Sequence, residues 1–314
     1  MEQAQHLLDL LAWAHLVQPT IPGRYGMHDL LRAYATHLAG IEDSEQERWA
    51  ALTRLFDHYL ATTGAAMDAL HPAEAHRRPH LGSPATPTPP MADPATALAW
   101  LDAERVTLTA VSAHTAAHGW PEHSTGLSAT LYRYLDIGGH YPDAVAVPTH
   151  ALHAARNTGD RDAEAHALTH LGAVYWRQGY YPQATEHHQQ ALTLFREIGY
   201  RTGEAHALDN LGLVYRRQGY YPRAAEHHQK ALTLFREIGC QAGETMALNG
   251  IGETYHATGH HDQAHAHHAT ALTLATQIGD HYELARAHNG LAHTHHATGD
   301  PDQEVGLRFS YVAT

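Results

Sequence analysis

Residues 203–239 read GEAHALDNLGLVYRRQGYYPRAAEHHQKALTLFREIG, and residues 163–199 read AEAHALTHLGAVYWRQGYYPQATEHHQQALTLFREIG. The two segments are nearly identical and lie 40 residues apart. Glycines keep the same interval along the second half of the chain, at Gly139, Gly179, Gly219, Gly259 and Gly299. A period of this length, carried by two amphipathic helices per unit, is typical of a solenoid. We therefore predict that half of the chain is a binding surface.

Each unit carries the signals of two helices joined by a turn. In the third unit, Leu208, Leu211 and Tyr215 recur at helical spacing and predict one apolar face. Gly219 is placed to end this helix, and Pro222 is placed to begin the next one. The inward positions of the second helices are predicted to hold His188, His228 and His268.

Composition excludes several classes of function. The formal charge of -13 argues against direct binding of a nucleic acid, since that requires clustered cations. No apolar run approaches the roughly 20 residues that cross a bilayer, so we expect no membrane partner. Cys240 is the only cysteine and cannot form an internal disulfide. A cytoplasmic location is therefore expected.

The order of small and large residues in each unit resembles the tetratricopeptide repeat, in a 40-residue variant. The resemblance implies an all-α fold in which residues 121–314 form a right-handed superhelix. The expected repeats are 121–158, 159–198, 199–238, 239–278 and an incomplete 279–314. The ending GLRFSYVAT lacks the usual core of a second helix. Two copies of the chain could therefore associate through the last repeat, and we include this self-association among the expected contacts.

The segment before the repeats is predicted to be helical with one small hairpin. Residues 2–15 form an amphipathic pattern, LVQPTIPGRYGM is extended and turning, and HDLLRAYATHLAG is a second helix. Residues 1–40 are predicted to be the end of a winged-helix domain. Residues 41–120 form a helical connector, which includes a proline-rich loop at 71–94. Ser44 and Glu47 have the spacing of a capping box.

The segment Arg24–Ala35, RYGMHDLLRAYA, resembles the Met-His-Asp motif that closes the winged-helix domain of NB-ARC signalling ATPases. In that family the histidine sits over the β-phosphate of bound ADP, and the aspartate supports the histidine loop. The resemblance implies that His28 senses nucleotide and that Asp29 supports it. The alternative is that His28 only caps the helix that begins near Asp29.

Further segments, including AWLDAER at 99–105, resemble the AfsR/SARP-type branch of NB-ARC/STAND regulators in the same order. The phosphate-binding pattern GxxxxGK[ST] is absent, so the resemblance implies that the NTPase module is missing from this chain. No cofactor is expected here, although ADP or ATP belongs to the parent family. No HExxH or GxSxG pattern is present, and an enzymatic function is not expected.

These features predict the ligand- or protein-sensing and partner-binding arm of a nucleotide-switched regulator. The alternative is a free-standing tetratricopeptide scaffold or peptide receptor. A protein or peptide segment is expected in a concave groove formed by the first helices, where arginines pair with carboxylates. The groove residues expected to be exposed are His166, Thr169, His170, Trp176, Arg177, His206, Asp209, Asn210, Arg216, Arg217, Asn249, Glu253, His256, Arg286, Asn289 and His293.

The 32 histidines raise a remote alternative, a metal-binding protein. His166 and His170 have the i, i+4 spacing of helix-borne zinc ligands, as do His261 and His265. Neither pair has an evident third or fourth ligand. Because the histidines recur at equivalent repeat positions, repetition explains most of them, and no metal site is predicted.

Overall fold

The computed structural model describes residues 2–20, 24–72, 78 and 86–298. The chain divides into two compact units, of which the first holds residues 1–59 and 83–88 and the second holds 60–82 and 89–314. The elements in chain order are α1 Glu2–Trp13, β1 Gln18–Pro19, β2 Tyr25–Gly26, α2 Asp29–Glu42, α3 Glu45–Leu70, α4 Pro94–Ala117, α5 Pro121–Ile137, α6 Tyr141–Thr158, α7 Arg161–Arg177, α8 Tyr181–Ile198, α9 Arg201–Arg217, α10 Tyr221–Glu237, α11 Gln241–Ala257, α12 His261–Ile278 and α13 His281–Thr298.

The first unit has the predicted order of helix, hairpin and helix. The strands β1 and β2 are antiparallel, and Gln18 is paired with Gly26. The capping box before α3 is present, because Ser44 N donates to Glu47 Oε2 at 2.9 Å and Glu47 N donates to Ser44 Oγ at 3.2 Å. These reciprocal bonds satisfy donors that a helix start otherwise leaves unpaired, so the boundary of α3 follows from the sequence.

The helix α2 is amphipathic but buries none of its residues. Leu30 is 75% exposed, Tyr34 62% and Ile41 66%. Their spacing places them along one side of the helix. These residues form an exposed apolar stripe along α2.

The second unit is an array of antiparallel helix pairs, from α5 and α6 through α11 and α12, followed by α13. The predicted all-α tetratricopeptide solenoid is confirmed. Each turn uses a glycine in the left-handed region, as at Gly179 with φ +81°. There, Gly179 N donates to Trp176 O at 3.1 Å and Tyr180 N donates to Tyr175 O at 2.9 Å. This pattern ends the helix and satisfies two of its last carbonyls.

The inward histidines lie against glycines of neighbouring helices. His188 is 1% exposed, and His228 and His268 are fully buried, as predicted. A Cβ atom built on Gly172 would lie 2.5 Å from the His188 ring. His228 has glycines on two sides, since a Cβ on Gly212 or on Gly250 would lie 2.6 or 2.5 Å from its ring. The helices approach this closely only because these glycines lack a side chain.

Three predicted features fall wholly or partly outside the described residues. Half of the proline-rich loop at 71–94 lies outside them, as does the turn at residues 21–23. Of the expected last repeat at 279–314, only α13 is described, so the second half of that repeat also lies outside. Among the described helices, none is long and apolar enough to cross a membrane.

The glycine at the helix contact gives a first testable prediction. Gly172→Ala is expected to lower the free energy of unfolding by about 1–3 kcal/mol, because the buried His188 ring has no space to move into. Urea denaturation measures the change. The control is Gly40→Ala in α2, where the nearest atom to the new Cβ would be Arg48 Nη1 at 3.4 Å. The control should be neutral or stabilising by up to about 1 kcal/mol, and equal losses in both variants would contradict the packing argument.

Candidate functional site

The first helices of successive repeats, α7, α9, α11 and α13, contact one another in order along the array. All sixteen predicted groove residues lie on these four helices. We call the surface formed by them the first-helix face. The structure divides the sixteen into buried residues, residues paired with one another, and exposed residues.

Two of the predicted groove residues are buried, so their expected exposure is wrong. Asp209 and Asn249 are both 0% exposed. Their side chains point inward, where Asp209 Oδ1 lies 2.6 Å from His228 Nδ1 and Asn249 Oδ1 lies 3.0 Å from His268 Nδ1. A buried imidazole needs a hydrogen-bond partner, and this position of the first helix supplies it.

A chain of alternating charges crosses three repeats on the first-helix face. Arg216 Nη2 lies 2.7 Å from Glu253 Oε2, and Glu253 Oε1 accepts from Arg286 Nε at 2.8 Å. Arg286 Nη1 also donates to both carboxylate oxygens of Glu283 at 3.2 Å. Asn249 donates to Glu283 Oε2 at 2.8 Å and so joins this chain to the buried histidines. The predicted arginine Arg216 is thus already paired within the protein.

The charge state of Glu253 is set by its two arginines. Burial alone would raise the pKa of Glu253, but the guanidinium groups of Arg286 and Arg216 outweigh burial and hold the pKa at about 2. Burial raises the pKa of Glu283, although Arg286 and Asn249 oppose the rise. Glu253 is therefore ionised at neutral pH and fixes both arginines on the face.

The two arginines at the ends of α7 and α9 are more exposed. Arg177 Nε lies 2.6 Å from Asp136 Oδ1 of the preceding repeat. Arg217 places its guanidinium carbon 5.7 Å from the centre of the Trp176 ring, within the range of a cation–π contact. Arg217 is thus both exposed and in contact with an aromatic ring.

The histidines of the face mostly contact other aromatic rings. His166 lies 3.7 Å from Asp162 and also meets Phe195, while His206 meets Phe235 edge to face. His170 stacks on Tyr132 with ring centres 4.5 Å apart. Burial lowers the pKa of His170 to about 3, so this ring is uncharged at neutral pH. The His170 contact joins two repeats, whereas the Phe195 and Phe235 contacts lie within the repeat that carries the histidine.

The remaining predicted residues differ in exposure. Thr169 is half-buried and its hydroxyl donates to Ala165 O at 2.9 Å, so it is used within α7. Asn210 is also half-buried. His256 and His293 stack with ring centres 5.7 Å apart, and both His293 and Asn289 are exposed.

The Met-His-Asp segment forms the start of α2. His28 is exposed, and its Nδ1 accepts from Leu30 N at 3.3 Å, which makes it the cap of the helix. Asp29 lies 3.6 Å from Arg32, and Arg32 Nη2 donates to Met27 O at 3.2 Å. Arg32 thus contacts both the Asp29 carboxylate and the backbone carbonyl of Met27.

Among the residues that the structure describes, no three His, Cys, Asp or Glu side chains are arranged to hold a metal ion. His261 lies next to His256, with ring centres 5.1 Å apart, and His265 lies next to His295 at 5.0 Å. In the His261/His265 pair, each ring thus contacts a histidine that is not its i, i+4 partner.

Two residues of the charge chains were not predicted from the sequence. Asp136 is 2% exposed and pairs with Arg177; Glu283 is 3% exposed and pairs with Arg286. Burial raises the pKa of Asp136, although Arg177 opposes the rise. Acidic residues at these positions do not recur in all repeats, so the 40-residue pattern gave no signal for them.

The chain matches the tetratricopeptide repeat family model at residues 141–237 and 244–305, together about half of its 314 residues. The Regulatory protein AfsR of Streptomyces griseus is 34% identical over 180 residues, which are 55% of this chain and 18% of AfsR. The chain thus spans less than a fifth of the length of that relative.

Solved structures share the fold. BtubC from P. vanneervenii is 20% identical with a TM-score of 0.57, over 69% of this chain and 90% of that one. A Signal Transduction ATPase with Numerous Domains (STAND) protein with a tetratricopeptide repeat sensor, from Pyrococcus horikoshii, is 19% identical with a TM-score of 0.54. This match covers 70% of the present chain and 36% of the STAND protein.

The buried histidines predict how stability depends on pH. Burial lowers the pKa of His188 to about 3, whereas a histidine in an unfolded chain titrates near 6.5. Protons therefore bind the unfolded state preferentially, and stability is lost as the pH falls below about 6.5. Between about pH 6 and 5, His188→Gln should reduce the slope of unfolding free energy against pH by about 1 kcal/mol per unit.

Urea denaturation at a series of pH values measures this slope. The matched control is His281→Gln, since His281 is exposed at the start of α13. A smaller slope in the His188 variant alone is expected. An unchanged slope in that variant would show that His188 titrates equally in both states.

Proposed function

The chain belongs to the tetratricopeptide-repeat family, and we propose that it is the sensing and partner-binding arm of a nucleotide-switched regulator of the STAND type. In this proposal the repeats bind a protein or peptide, and the first unit transmits the binding to an NTPase module. We assign this arm to the cytoplasm, where the single free Cys240 needs no disulfide partner.

The observation that carries the proposal is the Met27-His28-Asp29 segment joined to the repeats. A second supporting observation is the similarity to AfsR, which extends over 55% of the chain. The repeats alone would not identify a regulator, because they occur in many scaffolds, and the Met-His-Asp tripeptide alone can occur by chance. Together they favour a regulator over a free-standing scaffold.

The geometry of His28 supports a role in contacting phosphate. Because Nδ1 accepts a hydrogen bond from Leu30 N, the proton of the neutral imidazole belongs on Nε2. Nε2 is then a donor, as a phosphate oxygen requires. Capping and phosphate contact thus use different nitrogens of one ring, and the cap holds the ring in a fixed orientation.

The exposed stripe on α2 supports contact with a further module. Leu30, Tyr34 and Ile41 follow directly after the Met-His-Asp segment, and each is more than 60% exposed. We propose that this stripe contacts the NTPase module. If His28 reaches the bound nucleotide, the neighbouring surface of α2 must lie against the domain that holds the nucleotide.

The test uses a regulator that contains both this segment and its NTPase module. His28→Ala should raise basal output by at least about fivefold, since loss of the phosphate contact favours the open state. A reporter for the regulated promoter and nucleotide affinity are measured together. The control is His37→Ala, an exposed histidine on the same helix. Basal output equal to that of the control would reject the switch and favour the scaffold.

The partner surface is proposed to centre on Trp176 and Arg217. The other arginines of the first-helix face are occupied by Asp136, Glu253 and Glu283, whereas Arg217 presents its donors above an aromatic ring. A carboxylate held by this guanidinium can place its neighbouring apolar atoms near the indole. The expected partner is therefore an acidic segment of a protein or peptide.

A fluorescein-labelled acidic decapeptide is a suitable probe for this surface. Arg217→Ala is expected to weaken its binding roughly fivefold, as measured by fluorescence anisotropy. The matched control is Arg201→Ala, because Arg201 pairs with Glu237 at an exposed position that includes no predicted groove residue. Equal affinities for the two variants would remove Arg217 from the partner surface.

A further inference from the structure

Three histidine rings meet where α11, α12 and α13 come together. His256 lies at the end of α11, His261 begins α12, and His293 lies in α13. The His256 ring contacts both of the others, with its centre 5.1 Å from that of His261 and 5.7 Å from that of His293. Because the contact with His293 joins two repeats, spacing within one helix does not reveal this cluster.

The 40-residue repetition does not account for these histidines. In the preceding repeat the equivalent residues are Arg216, Tyr221 and Glu253. Arg216 and Glu253 form an ion pair there, with Nη2 lying 2.7 Å from Oε2. His256 and His293 thus replace a cation and an anion that neutralise each other. Two side chains of the same kind, each able to offer a nitrogen lone pair, stand in their place.

The surroundings of His256 favour its neutral form. Burial lowers the pKa of His256, and the nearby His261 and His293 lower it further. A neutral imidazole keeps a lone pair on one ring nitrogen, which is the form that binds a metal ion. The Nδ1 atoms of His256 and His261 are shielded from solvent and have no hydrogen-bond partner. No hydrogen bond at Nδ1 therefore fixes the orientation of these two rings.

The separations of the rings suit coordination of one ion. Zinc binds imidazole nitrogen at about 2.0–2.1 Å, so two imidazoles on a tetrahedral ion have their ring centres about 5 Å apart. The separations of 5.1 and 5.7 Å lie close to this value. In the described part of the chain the rings tilt or stack on one another, and their nitrogens do not converge on one point. His293 is exposed, so rotation about its side-chain bonds can bring its nitrogen toward the other two rings.

We propose that His256, His261 and His293 bind one divalent ion of a late first-row transition metal, of which Zn²⁺ is the representative. Imidazole nitrogen suits zinc, copper and nickel. Three histidines leave the fourth position of a tetrahedral ion to water. The bound ion joins α13 to α11 and α12. It thus connects the last two first helices at the place where the Arg216–Glu253 ion pair connects α9 and α11.

The metal site is independent of the proposed switch and of the partner surface. None of its three histidines belongs to the Met-His-Asp segment or to the Trp176–Arg217 contact. Metal binding requires only that the last repeats be folded, and it needs no NTPase module. Failure of either proposal therefore leaves the other standing.

Titration of the whole chain with metal ions tests the proposal. Equilibrium dialysis at micromolar free Zn²⁺ counts the ions that bind tightly. Co²⁺ is the spectroscopic probe, because its visible absorption reports coordination by imidazole nitrogen. We expect one tightly bound Zn²⁺ per chain, and a Co²⁺ band that saturates at one equivalent and disappears when Zn²⁺ is added. Absence of a tightly bound stoichiometric ion would overturn the proposal.

Single variants locate the ion. His256→Gln, His261→Gln and His293→Gln should each weaken Zn²⁺ binding by at least about tenfold, since each removes one ligand. The matched control is His281→Gln, because His281 is an exposed histidine on the same helix as His293. It lies roughly 18 Å from His293 along the helix axis. Its substitution should leave the Zn²⁺ affinity unchanged.

Thermal melting gives a second readout of the same site. Zn²⁺ should raise the unfolding midpoint of the unmodified chain and of the His281 variant but not that of the His293 variant, because an ion that binds only the folded state stabilises it. Circular dichroism establishes that each variant is folded. If the half-buried His256 cannot be replaced, the exposed His293 decides the outcome. A His293 variant that binds Zn²⁺ as tightly as the His281 control would overturn the three-histidine site.

Discussion

The array depends on the contact between the buried histidines of α8, α10 and α12 and glycines of the neighbouring first helices. The imidazole occupies the space that a Cβ atom would otherwise need, since a Cβ on Gly172 would lie 2.5 Å from the His188 ring. This contact brings a polar ring into a core of leucine, alanine and phenylalanine. The first helix must then supply acceptors for that ring, and it does so at Asp209 and Asn249.

The 40-residue period predicted the repeats, the turns and the inward histidines because each depends on local spacing. It did not predict which polar residues would be buried. The sequence predicts Asp209 and Asn249 as exposed groove residues, since a carboxylate or amide beside an apolar stripe is usually solvated. Their burial follows from a contact 19 residues away along the chain, which local periodicity does not report. The equivalent Thr169 instead bonds to its own helix.

The charges of the first-helix face largely neutralise one another. Arg216, Glu253, Arg286 and Glu283 form one connected chain, and Glu253 stays ionised because its pKa is about 2. The sequence predicts Arg216, Glu253 and Arg286 on one face, but their pairing across repeats depends on how far each helix is turned. A partner that binds these residues must break ion pairs that already exist within the protein. Arg217 contacts an aromatic ring instead, so its N–H donors can bind a partner without breaking an ion pair.

The glycines around His228 also determine which repeat can stand next to which. His228 requires Gly250 on the following repeat, where a Cβ would lie 2.5 Å from its ring. The equivalent position of the third repeat is Asn210, so the third repeat does not offer the same space. Although the second and third repeats are nearly identical, they are not interchangeable neighbours. The difference between Gly250 and Asn210 thus disfavours swapped or slipped arrangements between copies of the chain, because an asparagine side chain would need the space that His228 fills.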